Sequence, residues 1–159
     1  MSRWALTAAA MIGLMYVGCD SYRAQDDFAA EASRPPEGFT RTENGIDVES
    51  DDPDDWRTAP LFAGKVRVDP AFPNPAGDVV VTVPFSVLDF DAVRGGLVLY
   101  VRSNVNGSLT RLDQAPEATQ PGAYVFTFPA PVLGSSGLHR LYVVDGASEI
   151  VSYGDLMVR

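Results

Sequence analysis

From Gly64 to the last residue the chain is cut into short runs rich in Val, Tyr, Phe and Thr, separated by Gly, Pro, Asn and Asp, and no run sustains a helical period. That rhythm is what a sandwich or barrel of antiparallel strands requires. The runs predict seven strands, at about Lys65 to Asp69, Asp78 to Leu88, Leu97 to Ser103, Ser108 to Leu112, Ala123 to Phe128, Leu138 to Asp145 and Glu149 to Val158. In the second, Val79, Val81, Val83, Phe85 and Val87 alternate with Val80, Thr82, Pro84 and Ser86, so one face is apolar throughout. Pro84 has no amide proton for a ladder and predicts an edge strand or a bend. Asn106-Gly107 and Asp145-Gly146 favour tight turns, which pairs their flanking strands as hairpins.

Seven short strands without an intervening helix fit an all-β, antiparallel, immunoglobulin- or fibronectin III-like sandwich, with a small barrel as the rival. Tyr124, after Gly122, is placed for a tyrosine corner whose hydroxyl bonds back to nearby backbone; Tyr142 competes for the role, and ordinary core aromatics are the alternative for both.

The acidity is unevenly spread. Of the net charge of −9, residues 20–55 account for all, with twelve acids against Arg23, Arg34 and Arg41, while residues 56–159 hold nine acids against eight bases. Without a basic surplus, nucleic-acid binding lacks its electrostatic basis. High charge, few large apolar residues and the breakers Pro35-Pro36, Gly38, Asn44-Gly45 and Asp52-Pro53 predict that residues 20–55 are a disordered acidic tether, with room for a short helix around Tyr22 to Ala32. The pairs Asp51-Asp52 and Asp54-Asp55 read as a solvated charge run. Trp56 opens the first apolar cluster, Trp56 to Phe62, and sets the expected domain boundary; the cluster either docks on the sandwich or offers an aromatic patch to a partner.

Before the tether, Ser2 and Arg3 lead into an uncharged stretch from Trp4 to Val17. It is shorter than the roughly 20 residues of a spanning helix and has the form of an export signal. Its end, Tyr16-Val17-Gly18-Cys19, resembles the lipobox of bacterial lipoproteins, in which the cysteine after a small residue is acylated and becomes the new N-terminus. The resemblance implies a signal peptide over 1–18, lipidation (palmitate included) of Cys19, a tether over 19–55, a sandwich domain over 56–159, and a cell-envelope location on the inner or outer membrane. Cys19 is the single cysteine, so no intramolecular disulfide forms and thiolate chemistry has no sulfur to use.

Val68-Asp69-Pro70-Ala71-Phe72-Pro73-Asn74-Pro75-Ala76-Gly77-Asp78, running into Val79-Val80-Val81, resembles the Pro-Asn-Pro opening of two β-sandwich groups: the sorting domain of type IX secretion cargo and the immunoglobulin-like domain of flagellar hook-capping proteins. Leu97 to Val101 followed by Asn106 to Leu109 looks like their next strand, turn and strand. The resemblance covers about residues 65–128 and bears on the fold more than on transport, since a sorting domain needs a passenger.

No catalytic constellation stands out. His139, the single histidine, reads as a strand-surface residue. Gly134-Ser135-Ser136-Gly137 lacks the G-x-S-x-G spacing of a nucleophile turn and reads as a loop. Asp89-Phe90-Asp91 places two carboxylates in a loop, too few for calcium, which takes six to eight oxygens. The expectation is a membrane-held, non-catalytic binding or structural module with no cofactor and an unspecified envelope partner. The alternative is an accessory or assembly component of an envelope or secretion machine related to type IX secretion.

Overall fold

A computed structural model describes residues 20–43 and 47–159 and divides into two compact units, one ending at Arg34 and the other spanning Pro35–Arg159. The signal segment and Cys19 lie outside the described residues. In the first unit a helix covers residues 20–32, with Gln25, Phe28 and Ala32 buried at the three- and four-residue spacing of one helical face. The helix stops just short of Pro35-Pro36, as the restriction on residues preceding proline requires.

The second unit is mostly β and sandwich-like, and all of its strand ladders are antiparallel. Seven strands fall on the seven predicted runs: β3 (Val66–Val68), β4 (Val80–Val87), β5 (Leu97–Arg102), β6 (Leu109–Ala115), β7 (Gly122–Pro129), β8 (Gly137–Asp145) and β9 (Ile150–Val158). Two short ones precede them, β1 (Arg41–Thr42) and β2 (Val48–Ser50), so nine strands form three sheets, ordered β1-β2, β3-β4-β7 and β6-β5-β8-β9. The expectation of seven strands and of disorder through to residue 55 is thus corrected, while the helix over 20–32 covers the short helix allowed around Tyr22 to Ala32. Thr40, Thr42 and Asp55 are buried, and the ordered unit starts at Pro35 rather than Trp56.

The core follows from alternation. Val81, Val83, Phe85 and Val87 of β4 are buried, and Phe126 and Phe128 of β7 lie opposite in the ladder. In the four-stranded sheet Leu97, Leu99, Leu141 and Val143 form the matching apolar set. Phe85 stacks on Phe126 at 4.5 Å and on Tyr124 at 5.4 Å between ring centroids.

Pro84 lies in the central strand of its sheet, contrary to the edge expectation. The register explains why it is tolerated. Thr82 exchanges both backbone bonds with Phe72, and the Pro84 carbonyl accepts from the Asp69 amide, so even-numbered residues of β4 direct their backbone groups away from β7. The missing proton of Pro84 would point past Val68, where β3 has ended, and only one bond is forgone.

The same parity sends the backbone groups of Ala123, Val125, Thr127 and Pro129 to the open edge of β7. There the Asp113 carboxylate takes the Thr127 amide at 2.8 Å, and Pro129 has no amide to offer. A charge and a proline blunt this edge against pairing with another chain.

Both predicted hairpins form. Gly107, at φ +71°, lets the β5–β6 turn close, with Asn106 Oδ1 accepting the Ser108 amide. In the β8–β9 turn the left-handed residue is Ser148, at φ +69°, and the Asp145 carboxylate accepts the amides of Ala147 and Glu149. Tyr124 supplies the back-bond expected of a tyrosine corner, donating its hydroxyl to the Gln120 carbonyl at 2.9 Å. Tyr124→Phe should cost about 1 kcal/mol, the net worth of one such bond, seen as a thermal midpoint a few degrees lower. An unchanged midpoint would make that bond incidental.

Candidate functional site

Strand β9 is an edge of the four-stranded sheet, and such an edge presents unpaired amides and carbonyls. Here the preceding chain closes it. The amides of Ala59, Trp56 and Ala76 donate to the carbonyls of Val151, Tyr153 and Met157 at 2.7–2.8 Å. Between them the edge is met by two side chains, Asp55 and Asn74.

Asn74, the centre of Pro73-Asn74-Pro75, is fully buried, and both peptide bonds preceding its flanking prolines are cis. Its Nδ2 donates to the carbonyls of Thr40 (2.8 Å) and Asp155 (2.9 Å), and its Oδ1 accepts the Met157 amide (3.0 Å). Its own amide and carbonyl exchange bonds with Thr42 at 2.9 and 2.8 Å. One side chain therefore joins three segments far apart in sequence, with each of its polar atoms satisfied.

Next to it lies a cluster of charges. Leu141 and Val143 face the core, so alternation puts Arg140 and Tyr142 on the other side of β8, opposite Asp155 and Tyr153 of β9. That side is closed to water as well: Arg140, Tyr142, Tyr153 and Asp155 are all buried. Arg140 forms a bidentate pair with Asp155, Nε to Oδ1 at 2.8 Å and Nη2 to Oδ2 at 2.6 Å, and its guanidinium lies 4.8 Å from the centre of the Tyr153 ring. Arg57 reaches the Tyr153 hydroxyl at 3.1 Å.

Asp55 bridges to this cluster, its Oδ2 accepting the Thr40 amide at 2.7 Å and its Oδ1 the Asp155 amide at 2.8 Å. Its neighbourhood sets the protonation. Burial pushes the Asp55 carboxyl up to about 7; the Thr40 and Asp155 amides pull it down, and the charges of Asp155 and Asp52 push it up. Burial also raises Asp155, against the pull of Arg140. Burial works against the charge on Arg140 too, yet its bonds to Asp155 leave its pKa above the ordinary value. The two partners thus pull in opposite directions, and the two short parallel contacts are those of an ion pair, so we assign both as charged. Asp52 is raised and Asp54 lowered, chiefly by the hydrogen bond between their carboxyl groups.

Several residues noted from the sequence end up elsewhere. His139 is buried, not on the strand surface: a ring nitrogen lies 2.8 Å from the Ser135 carbonyl. Ser135 and Ser136 are in the loop that follows a 3-10 turn at Ala130–Leu133. His139 and Ser135 line a depression of about 200 Å³, rimmed by Val105 and Val132. Asp89 and Asp91 are exposed. Among the described residues no group of three or more His, Cys, Asp or Glu is placed to hold a metal ion. The Trp56 cluster docks on the sandwich: Trp56 is 5% exposed, and its indole lies against Gly154, where a side chain would occupy the same space. The indole Nε1 and Ser152 Oγ are buried without a hydrogen-bond partner among the described residues.

Asp55, Asn74, Arg140 and Asp155 carry the chemistry of this site, and sequence reasoning singled out Asn74 only as part of a motif. A buried Arg and Asp inside strands was a readable signal, since such residues are rarely enclosed unless paired. No protein-family model matches the chain, and no curated protein and no solved structure matches it. No helix among the described residues is long and apolar enough to cross a membrane.

Proposed function

We propose that the chain is a lipoprotein of the cell envelope, anchored through acylated Cys19, whose Pro35–Arg159 unit is a non-catalytic β-sandwich that binds a partner or serves structure. The observation that carries this reading is the uncharged run ending in Gly18-Cys19, placed 16 residues ahead of the ordered unit's first residue. The sheet order β3-β4-β7 against β6-β5-β8-β9 supports a fibronectin III-like arrangement of its seven main strands. The polar groups of the β9 site support a structural role for it, because they are spent on backbone and on one another.

Acyl chains at about 0.8 kcal/mol per buried methylene, supplied in more than one copy, hold such a protein stably on a membrane. Cys19→Ala should abolish incorporation of labelled fatty acid and leave the precursor unprocessed. Equal labelling of both proteins would overturn the anchor. The second reading, an assembly component of an envelope or secretion machine, is favoured by the Pro73-Asn74-Pro75 turn. Recovery of one stoichiometric complex from detergent-solubilised envelope would select it, and recovery of the chain alone would favour the free-standing module.

A further inference from the structure

His139 is 5% exposed, and alternation puts it on the same side of β8 as Leu141 and Val143, at the end of the core. Its Nε2 lies 2.8 Å from the Ser135 carbonyl, and a carbonyl only accepts, so we assign the proton to Nε2. In the neutral ring Nδ1 then holds a bare lone pair, and among the described residues it has no hydrogen-bond partner. His139 stands in the wall of the depression of about 200 Å³, so this buried acceptor is open to a donor from outside the chain.

The depression has fixed walls. On one side the β5–β6 turn is pinned beside β8 by Asn104, whose Nδ2 donates to the Leu138 carbonyl at 3.0 Å; on the other, residues 132–135 are held by the His139 bond to Ser135. Val101, Val132 and Leu133 supply apolar lining, and at the rim Val105 and Val132 are 96% and 56% exposed.

That lining selects an occupant by chemistry. At about 30 Å³ for each water-sized group, the space takes roughly seven of them. Among the described residues no carboxylate lines it, so a lysine or arginine tip finds no counter-charge. Arg102 is the charged residue at its edge, and alternation sends its side chain to the side of β5 away from Val101, where the guanidinium lies against Gly107 in the turn. Serine, threonine, asparagine and glutamine bring a donor without an apolar body, and leucine or phenylalanine brings a body without a donor. A tyrosine side chain brings both, a ring of about the right size ending in a hydroxyl, whereas the indole of tryptophan is the larger body.

Resting on the reading of this unit as a partner-binding module, we propose that the depression beside His139 is a docking pocket for a tyrosine side chain of a partner polypeptide. The ring packs against Val101, Val132 and Leu133, the hydroxyl donates to His139 Nδ1, and the exposed rim at Val105 meets the partner's flanking residues.

Peptide titrations of the full chain in lipid nanodiscs, with isotope-labelled histidine, test the pocket. His139 is the single histidine, so its two ring nitrogens are the whole imidazole spectrum. A capped tripeptide with tyrosine at its centre should bind saturably and move the Nδ1 resonance. The phenylalanine counterpart should bind roughly three- to tenfold more weakly, the net worth of one hydrogen bond, and leave Nδ1 in place. His139→Phe should erase that difference. Val132→Trp, a change at an exposed position that leaves the core alone, sets an indole over the depression and should weaken the tyrosine peptide at least about tenfold. Absence of saturable binding, equal binding of the two peptides, tighter binding of a glutamate counterpart through Arg102, or a tyrosine affinity that ignores Val132→Trp overturns the pocket. If His139→Phe fails to fold, the Nδ1 shift and Val132→Trp decide. A stoichiometric envelope complex that survives Val132→Trp would also remove this pocket while leaving the partner-binding reading intact.

Discussion

A chain cut to begin at Trp56 should be about 5 kcal/mol less stable than one beginning at Pro35, a loss that consumes much of the roughly 5–15 kcal/mol that holds a domain of this size together. Among the described residues, five hydrogen bonds between buried residues tie the removed residues to what remains: Asp55 to the Asp155 amide, the Thr40 carbonyl to Asn74 Nδ2, Thr42 to Asn74 through both backbone groups, and the Thr42 hydroxyl to the Ala71 carbonyl. Each is worth about 1 kcal/mol net, because water replaces part of what is lost. The larger consequence is exposure of β9. Once the cover is gone, the Asp155 amide, the Asn74 amide group and the Arg140–Asp155 pair meet solvent along a strand edge, where pairing between copies becomes possible. Thermal melts of the two proteins, with size-exclusion chromatography of each, test this. Midpoints within about two degrees of each other would mean that residues 35–55 ride on the domain without supporting it.

That segment is also where sequence reasoning ran out. The seven main strands were legible because each is a local pattern: in β4 the alternation from Val81 to Val87 is visible in one line of sequence, and Asn106-Gly107 announces its own turn. Residues 35–55 carry no such period, and their density of acids is what a solvated chain would have. What orders the described ones among them is reach. Asp55 finds its amide a hundred residues away on β9, and Thr40 and Thr42 find theirs around Asn74. A buried aspartate in an acidic run looks like its exposed neighbours until the fold supplies the donors. Composition over a window averages Asp55 with Asp51, which is exposed, and so hides the one carboxyl that packs. Pro84 shows the same limit in a strand, since whether a missing proton matters depends on where the neighbouring strand ends.

Asn74→Asp should be among the most damaging single substitutions available to this chain, although it changes one atom type and almost no volume. Nδ2 donates two hydrogen bonds, to the Thr40 and Asp155 carbonyls at 2.8 and 2.9 Å, in a site with no access to water. Replacing that nitrogen with an oxygen sets three acceptors against one another. If the new carboxyl ionises, its charge is buried against two carbonyls; if it takes up a proton, it can serve only one of them and must hold a proton at neutral pH to do so. Leaving buried polar groups unpaired costs about 1–3 kcal/mol each, so the expected loss is about 3–5 kcal/mol. The thermal midpoint should fall by roughly 10–20 °C, and further as pH rises, since ionisation makes the site worse. Asn106→Asp is the control. In the exposed β5–β6 turn Asn106 acts as an acceptor for the Ser108 amide and hydroxyl, at 3.0 and 2.7 Å, a role a carboxylate fills equally well. Equal melting of Asn74→Asp and Asn106→Asp would remove Asn74 from its place as the joint between the N-terminal segment and β9. A large gap would show that the middle residue of Pro73-Asn74-Pro75 is held there by the donors and acceptors it satisfies.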